Sequence, residues 1–592
     1  MDTVKRTFDI IEHLVNKYPY KTDILAGKQN GIWFTYTVND YKNYANYISY
    51  ALIEFGFQKG DKILSVSTNK PEWNFMDMAL AQLGVIHIPV YPNINVEEYL
   101  YIFKHSDAKA IFIGDELIYG RIKPALDEVT AISYVFCLWK NQCKHDSDIY
   151  FLIDLGRKLE EKYSKKLEVI KSTIVPEDVV TIIYTSGTTG MPKGVMLSHS
   201  NIISNVLATV KVQPLTSQHR VLSFLPLCHI YERMMNYHFQ YLGISIYYAE
   251  SLATIAEDLR QIKAHGMNTV PRLLESVFDK IQAKGKDTGG IKKKIFNWSI
   301  NLALKYELNP SLWYRFKLFW ADLLVFRKIK KSLGGNLRII ISGGAAIQVR
   351  LLRFFWAMGI QTLEGYGLTE TSPVIAVNYP SGDNVRFGTV GPVIEGVEVK
   401  IADDGEILCK GPNVMIGYYK DEETTKQVID DKGWFHTGDI GELIEGRFLK
   451  ITDRKKEIFK NAGGKYVAPQ IIENKLKESI FIEQAFVIGE NEKFVSAIIS
   501  PNFNHLHFWT VKHKLHYNNH DELIKHSMVI DRIAEEIDKV NSTLSPHEQV
   551  KKFCLVPDTW SPQTGELSPT LKLKRKVLKE KYMHLICSLY KC

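Results

Sequence analysis

The sequence predicts an α/β protein: a large N-terminal region of mostly parallel sheets and helices, then a compact β section, then a small α+β module. Three observations predict it. From about Asp61 short apolar runs alternate with helical patterns, KILSVS, PEWNFMDMALAQLG and VIHIPVY, which is how the strand, helix and strand of a βαβ unit read. After about Gly388 the texture changes to short β runs with tight turns. Beyond Asp453 a charged loop leads into APQIIENKLKES, EQAFVIG, KFVSAIIS, a helical stretch near Asp521 to Leu544, and KKFCLVP. The boundary is therefore placed at Asp453, dividing 1–452 from 453–592.

The βαβ grammar recurs. DVVTIIYTS runs into a glycine-rich turn and KGVMLSHS, after which Ser200 or Asn201 can cap the helix NIISNVLATV. LRIIISGGAAI leads from an apolar strand through glycines into VRLLRFFWAMG. In VEVKIADDGEILCKG the pair Asp404-Gly405 fits a two-residue hairpin turn. The stretch 291–331 stands apart, with ten basic residues, two acidic ones and nine aromatics at helical spacing. It reads as a helical insertion at about 285–335, either a surface helical pair whose aromatics pack on the main body or a membrane-docking element.

Composition excludes several classes. With 45% hydrophobic and 24% charged residues over 592 positions, the chain is globular rather than disordered or fibrous. The net charge of +8 is a mild excess over 74 basic and 66 acidic side chains. It suits anionic substrates or a membrane surface, and no helix-turn-helix or zinc module supports nucleic-acid binding. Seven cysteines at irregular spacings, without a CxxC pair, point to a reducing compartment. The start, MDTVKRTFDIIEHLVNKYP, lacks the apolar core of an export signal, and no stretch approaches the ~18 to 20 apolar residues of a membrane span. The expectation is a cytoplasmic protein whose membrane contact, through 291–331, is peripheral. The histidines from His505 to His520 follow no metal-ligand spacing.

Four segments carry chemistry. TSGTTGMPKG, Thr185 to Gly194, follows an apolar strand; its glycines and the hydroxyls of Thr185, Ser186, Thr188 and Thr189 let backbone fold round phosphate oxygens, with Lys193 as a mobile cation. It is not the common GxxxxGK nucleotide loop, because the fifth position after Gly187 is Pro192. In EGYGLTETS, Glu364 to Ser372, Gly365 and Gly367 permit close backbone approach and Tyr366 can stack on a base. There Thr369 can donate to a phosphate and Glu370 offers magnesium a hard oxygen. In the stretch Gly433 to Pro469, Asp439 suits the two hydroxyls of a ribose, while Arg454, Lys456 and Lys460 bring positive charge towards phosphates. ELSPTLKLKRKVL, Glu566 to Leu578, is by itself a basic tail.

In this order, TSGTTGMPKG, YGLTE, HTGD and DRKKEIFK with GGKY resemble the adenylate-forming (AMP-binding) superfamily, and within it the long-chain fatty acyl-CoA synthetases, over nearly the whole chain. The resemblance implies a luciferase-like fold: two sheet-and-helix subdomains plus a β section, and a small C-terminal domain hinged at Asp453. It implies ATP, Mg2+ and CoA, with a fatty acid converted first to acyl-adenylate and then to acyl-CoA. It makes Thr185 and Glu370 the magnesium candidates and sets the phosphates against Thr185, Ser186, Gly187, Thr188, Thr189, Gly190, Lys193 and Thr369. Adenine falls near Gly343, Gly344, Ala345 and Tyr366, within the nucleotide segment Glu364, Gly365, Tyr366 and Gly367. Ribose falls to Asp439 and Arg454, and Lys456 and Lys460 belong to the same nucleotide-binding group. The catalytic set is Lys572, with Lys574 as its near neighbour, Thr369, Glu370 and His229, the last beside the acyl carboxylate.

Two alternatives are weighed against that activity. A fatty acyl-AMP ligase loading a carrier protein commonly carries extra residues that obstruct domain rotation, and no such insertion precedes DRKKE. A non-catalytic lipid- or nucleotide-binding relative has no reason to keep Lys193, Glu370, Asp439, Arg454 and Lys572 together. Chain length of the acid is not derivable from the residues, and the oligomeric state is open between a monomer and a homodimer.

Overall fold

The computed structural model describes residues 4–139, 147–185, 191–286, 289–568 and 571–590. The chain divides into two compact units: Met1–Val399, Cys409–Phe435 and Ile444–Leu449 form one, and Lys400–Leu408, His436–Leu443 and Lys450–Cys592 form the other. The second unit thus takes in two stretches that precede Asp453 in the chain.

The first unit holds a seven-stranded and an eight-stranded sheet. In the seven-stranded sheet the strands Lys62–Val66 and Ile86–Val90 pair in parallel, Ile63 opposite His87, and the helix Pro71–Leu83 crosses between them, as the sequence grammar predicts. Proline opens that helix, where a missing N–H costs nothing, and Gly84 ends it at φ +68°. Every one of its 13 residues is buried. So is nearly all of the helix Ile230–Tyr241, which bonds to both sheets: Arg233 reaches Thr181 on one, and Asn236 accepts from Tyr248 on the other. Helices enclosed on all sides must satisfy their polar groups internally.

Local corrections follow from the hydrogen bonds. The helix after the glycine-rich turn begins at His199, and its cap is Ser198, not Ser200 or Asn201; Ser198 and Asn201 form a reciprocal capping box. The hairpin at Asp404-Gly405 is wider than two residues: strands end at Ile401 and resume at Glu406, Ala402 and Glu406 close the loop, and Gly405 supplies φ +84°. The helical stretch near 521–544 is two helices, His520–Leu523 and Ser527–Asn541. The insertion is helical, with Gly290–Ala303 and Leu312–Ala321 as its two main helices. Its aromatics do not all pack on the main body: Phe326 is buried, whereas Trp298, Trp313, Phe316, Phe319 and Trp320 are exposed.

In the second unit Ile482–Ile488, Val495–Pro501 and Val550–Leu555 form a three-stranded sheet over a core that includes Ile472, Leu476, Ile499 and Ile533. Cysteine usage is not uniform: Cys137 is disulfide-bonded, while Cys228, Cys409, Cys554 and Cys587 are free. No described helix is long and apolar enough to cross a membrane.

Candidate active site

The first and second motifs converge in the first unit. Thr185 ends the strand Val179–Thr185 and pairs with Lys193, which opens the antiparallel return strand Lys193–Ser198. Ser186, Gly187, Thr188, Thr189 and Gly190 lie outside the described residues. On the other side of Lys193–Ser198 runs the short strand Gly417–Tyr418, with Tyr418 opposite Val195. The Tyr418 hydroxyl donates to Glu370 Oε1 at 3.0 Å, and Lys193 Nζ stands 5.1 Å from the centre of the Tyr418 ring. The turn Thr369–Thr371 itself packs against Lys193–Ser198. Thr185, Lys193, Thr369 and Glu370, nearly two hundred residues apart in sequence, thus share one corner.

Tyr418 escaped the sequence reading. Only its place in the pair Tyr418-Tyr419 after a glycine marks it, and pairing with the strand Lys193–Ser198 is invisible without the fold. Burial and the Glu370 carboxylate push its hydroxyl well above the usual phenol range, so it is a donor at all working pH values. Oxygen donors such as the Thr185 hydroxyl and the Glu370 carboxylate are the right chemistry for magnesium. No group of three or more metal-ligating side chains exists among the described residues. Tyr418→Phe is therefore expected to raise the Mg2+ concentration for half-maximal pyrophosphate release about tenfold, the usual cost of losing an outer-shell hydrogen bond. A titration of initial rates against Mg2+ checks this.

The strands Ile339–Ser342 and Gln361–Gly367 pair in parallel, Ser342 opposite Glu364, which sets Gly343, Gly344 and Ala345 beside Gly365 and Tyr366 at the carboxyl ends of neighbouring strands. Gly344 has φ +80°, and a side chain at Gly343 would meet the ring of Tyr231. The two glycines of EGYGLTE differ. A Cβ on Gly367 would lie 1.8 Å from the Pro373 carbonyl oxygen, whereas one on Gly365 finds only ordinary contacts at 3.4 Å and beyond. Gly367 thus admits the chain's own backbone.

Glu364 is buried, and its Oε1 accepts from the Ile347 N–H at 3.1 Å, bracing the turn that carries Gly343 to Ala345. Burial pushes this carboxyl up to about 8. An acid whose folded pKa lies above its unfolded value, about 4.3, binds protons more tightly when folded. Its share of stability is full below pH 4 and is lost as pH rises towards 8, on the order of 3 kcal/mol by pH 7. Glu364→Gln is expected to flatten the fall in thermal midpoint between pH 5 and 8; an unchanged slope would place the titration elsewhere.

His229 caps the helix Ile230–Tyr241, its Nδ1 accepting the Tyr231 N–H at 3.1 Å. That bond assigns the neutral ring's proton to Nε2. Tyr231 in turn donates to the Ile341 carbonyl at 2.9 Å and stands against Gly343, so the cap and the turn Gly343 to Ala345 share a wall. Further along, Glu232 accepts from Ser223 and Asn268, and burial pushes it up to about 7. Arg233, fully buried, donates to Asp77 Oδ1 at 2.5 Å, to Thr181 Oγ1 at 2.7 Å and to Tyr237. His87 Nδ1 completes the cluster at 2.7 Å from Asp77, with Nε2 accepting from Ser65. Burial alone would raise Asp77; Arg233, His87 and Tyr237 together hold it below the usual carboxylate range.

In the second unit Asp439, buried on the strand Phe435–Ile444, meets Arg454 Nε at 3.4 Å. Asp453 is also buried. Its Oδ1 accepts from the Arg454 N–H, its Oδ2 has no partner among the described residues, and burial pushes it up to about 7. Of the neighbouring cations, Lys455 is committed to Asp404 at 2.6 Å and Glu406 at 2.8 Å, whereas Lys456 is exposed and Lys460 lies over the Tyr466 ring at 4.7 Å. Lys572 is exposed on a turn closed by its own N–H and carbonyl to Ser568, with Leu571 at φ +62°. Lys574 is half-buried at the start of the helix Arg575–Lys581.

The AMP-binding enzyme family matches residues 11–419, and the AMP-binding enzyme C-terminal domain matches residues 457–592. The chain belongs to the AMP-binding enzyme family. Its relatives in that family include the long-chain-fatty-acid–CoA ligase FadD15 of Mycobacterium bovis, 31% identical over 570 residues that cover 95% of this chain and 93% of the relative. Long-chain-fatty-acid–CoA ligase 5 of Rattus norvegicus is 33% identical over 589 residues, 94% of this chain and 84% of the relative. Among solved structures, the adenylation domain of a carboxylate reductase from Mycobacterium chelonae aligns with a TM-score of 0.74 at 19% identity, covering 99% of this chain and 91% of that one. A Mycobacterium tuberculosis fatty acyl CoA synthetase aligns at 0.61 and 19% identity, covering 99% and 100%. These likenesses bear out the adenylate-forming fold expected of an AMP-binding enzyme.

Proposed function

We propose that this AMP-binding enzyme is a long-chain-fatty-acid–CoA ligase that forms acyl-adenylate from a fatty acid and ATP, then acyl-CoA. The meeting of Lys193, Tyr418 and Glu370 beside Thr185 carries the reading, since it gathers a cation, a donor and a carboxylate where the strand Val179–Thr185 ends.

A carboxylate is a poor acyl donor because oxide would have to leave. Its oxygen therefore attacks the α-phosphorus, an acyl O–P bond forms, and the bond to pyrophosphate breaks. Negative charge moves onto the departing phosphates, where Lys193, the Thr369 hydroxyl and Lys572 serve as positioned donors. Glu370 and Thr185 would hold Mg2+, which would supply neutralising charge to those phosphates. His229, with its proton on Nε2, offers a donor to the acid's carboxylate. Asp439 accepts from the ribose hydroxyls, and Arg454, 3.4 Å away, orients it. The thiolate of CoA then attacks the acyl carbon and AMP leaves. A hinge at Asp453, with 453–592 moving as the mobile domain, lets Lys572 serve the first step and withdraw for the second. The protein works in the cytoplasm with peripheral membrane contact through 291–331, as a monomer or a homodimer.

Incubation with palmitate, ATP, Mg2+ and CoA should yield AMP, pyrophosphate and palmitoyl-CoA in equal amounts, and acyl-adenylate when CoA is left out. ADP with orthophosphate would overturn the proposal. A series of acids from short to long fixes the chain-length preference.

A further inference from the structure

The helix Leu312–Ala321 has two apolar faces, and the fold uses one of them. Ala321, Val325 and Phe326 are buried in the core cluster beside the eight-stranded sheet, and Leu318 packs against it. Tyr314 donates to the Leu302 carbonyl of the neighbouring helix, which fixes the helix about its axis. The other face is left to solvent. Leu312 is 83% exposed, Trp313 64% and Phe319 56%, and Phe316, Trp320 and Leu323 continue the stripe at helical spacing. The rings are ordered against one another, Trp313 on Phe316 at 5.4 Å and Phe316 on Trp320 at 6.4 Å. Side chains of this size, about half exposed, make an apolar patch of roughly 500 Å2, near the upper end of what monomers leave uncovered.

Charge selects the occupant. Arg315 and Lys317 sit on the same helix, with Lys317 over the Trp313 ring at 5.2 Å, and Lys292, Lys293 and Lys294 are exposed at the start of its partner helix Gly290–Ala303. Both acidic residues of the segment are neutralised locally, Glu307 by Arg353 and Asp322 by Arg327 and Lys330. A second copy seated on the stripe by a two-fold would oppose these cations to one another. We infer that this stripe is the seat of an anionic lipid surface, the helix lying in the plane of the headgroups with Trp313, Phe316 and Trp320 entering the acyl boundary and Arg315, Lys317 and Lys292 to Lys294 on the phosphates. The inference deepens, and rests on, the reading of 291–331 as a membrane contact. No described helix can span a bilayer, so the contact is in-plane.

The test is co-sedimentation of the full chain with vesicles of phosphatidylcholine alone or with about 30% phosphatidylserine, together with tryptophan emission. Binding to the anionic vesicles is expected to be at least about tenfold tighter, with a blue shift on binding. The pair Trp313→Glu and Phe316→Glu should abolish it. The pair Arg315→Glu and Lys317→Glu should erase the preference for phosphatidylserine. Both variants should keep wild-type turnover of acid dispersed without membranes, which separates this test from that of the catalytic proposal. Binding to neither vesicle would overturn the membrane reading of 291–331. Equal binding to both would overturn the anionic seat. A wild-type dimer that Trp313→Glu with Phe316→Glu dissociates would reassign the stripe to a subunit interface.

Discussion

Lys572→Ala is expected to slow acyl-adenylate formation by about two to three orders of magnitude, the usual cost of removing one positioned donor from a charge-developing step. Thioester formation from supplied acyl-adenylate and CoA should change by less than about threefold, because Lys572 has no part once pyrophosphate has left. Pyrophosphate exchange reads the first step, and acyl-CoA released from synthetic acyl-adenylate reads the second. Equal losses in both would remove Lys572 from its role. The same assay on Lys574→Ala separates the neighbours: a half-buried residue opening a helix should affect both steps alike, through folding, whereas exposed Lys572 on its turn should not.

The second large effect is on stability. Arg233→Ala would leave Asp77 charged in a fully enclosed site with only His87 and Tyr237 near it. Stripping one partner from a buried ion pair costs about 3–5 kcal/mol. The first unit's urea midpoint should fall accordingly, and the double variant Asp77→Leu with Arg233→Met should recover most of the loss. A single variant as stable as the wild type would show that Asp77 is protonated in the native state.

The motifs were legible because glycines, hydroxyls and charges cluster locally in the chain. TSGTTGMPKG and YGLTE stand out by their glycines and hydroxyls, and Thr185, Lys193, Thr369 and Glu370 do meet in one corner, although Gly367 proves to make room for the chain's own backbone at Pro373. Tyr418 was not legible, since its role depends on strand pairing over more than two hundred residues. Nor did residue type reveal that Lys455, exposed like Lys456 beside it, is occupied by two carboxylates. The helix Ile230–Tyr241 is not announced by its composition: Glu232, Arg233, Asn236, His238 and Gln240 are all polar, yet all are buried, with partners elsewhere in the core. The same blindness to packing hid the second apolar face of Leu312–Ala321, since spacing alone does not say which side of a helix is covered.

The Asp77–Arg233–Thr181 chain fastens the helix capped by His229 to the strand that ends at Thr185. One salt-bridged strut thus spans the places proposed for the carbon and phosphorus reagents. On that proposal their alignment is set by buried side chains, Asp77 and Arg233 among them. The strut is therefore where a designer should not cut.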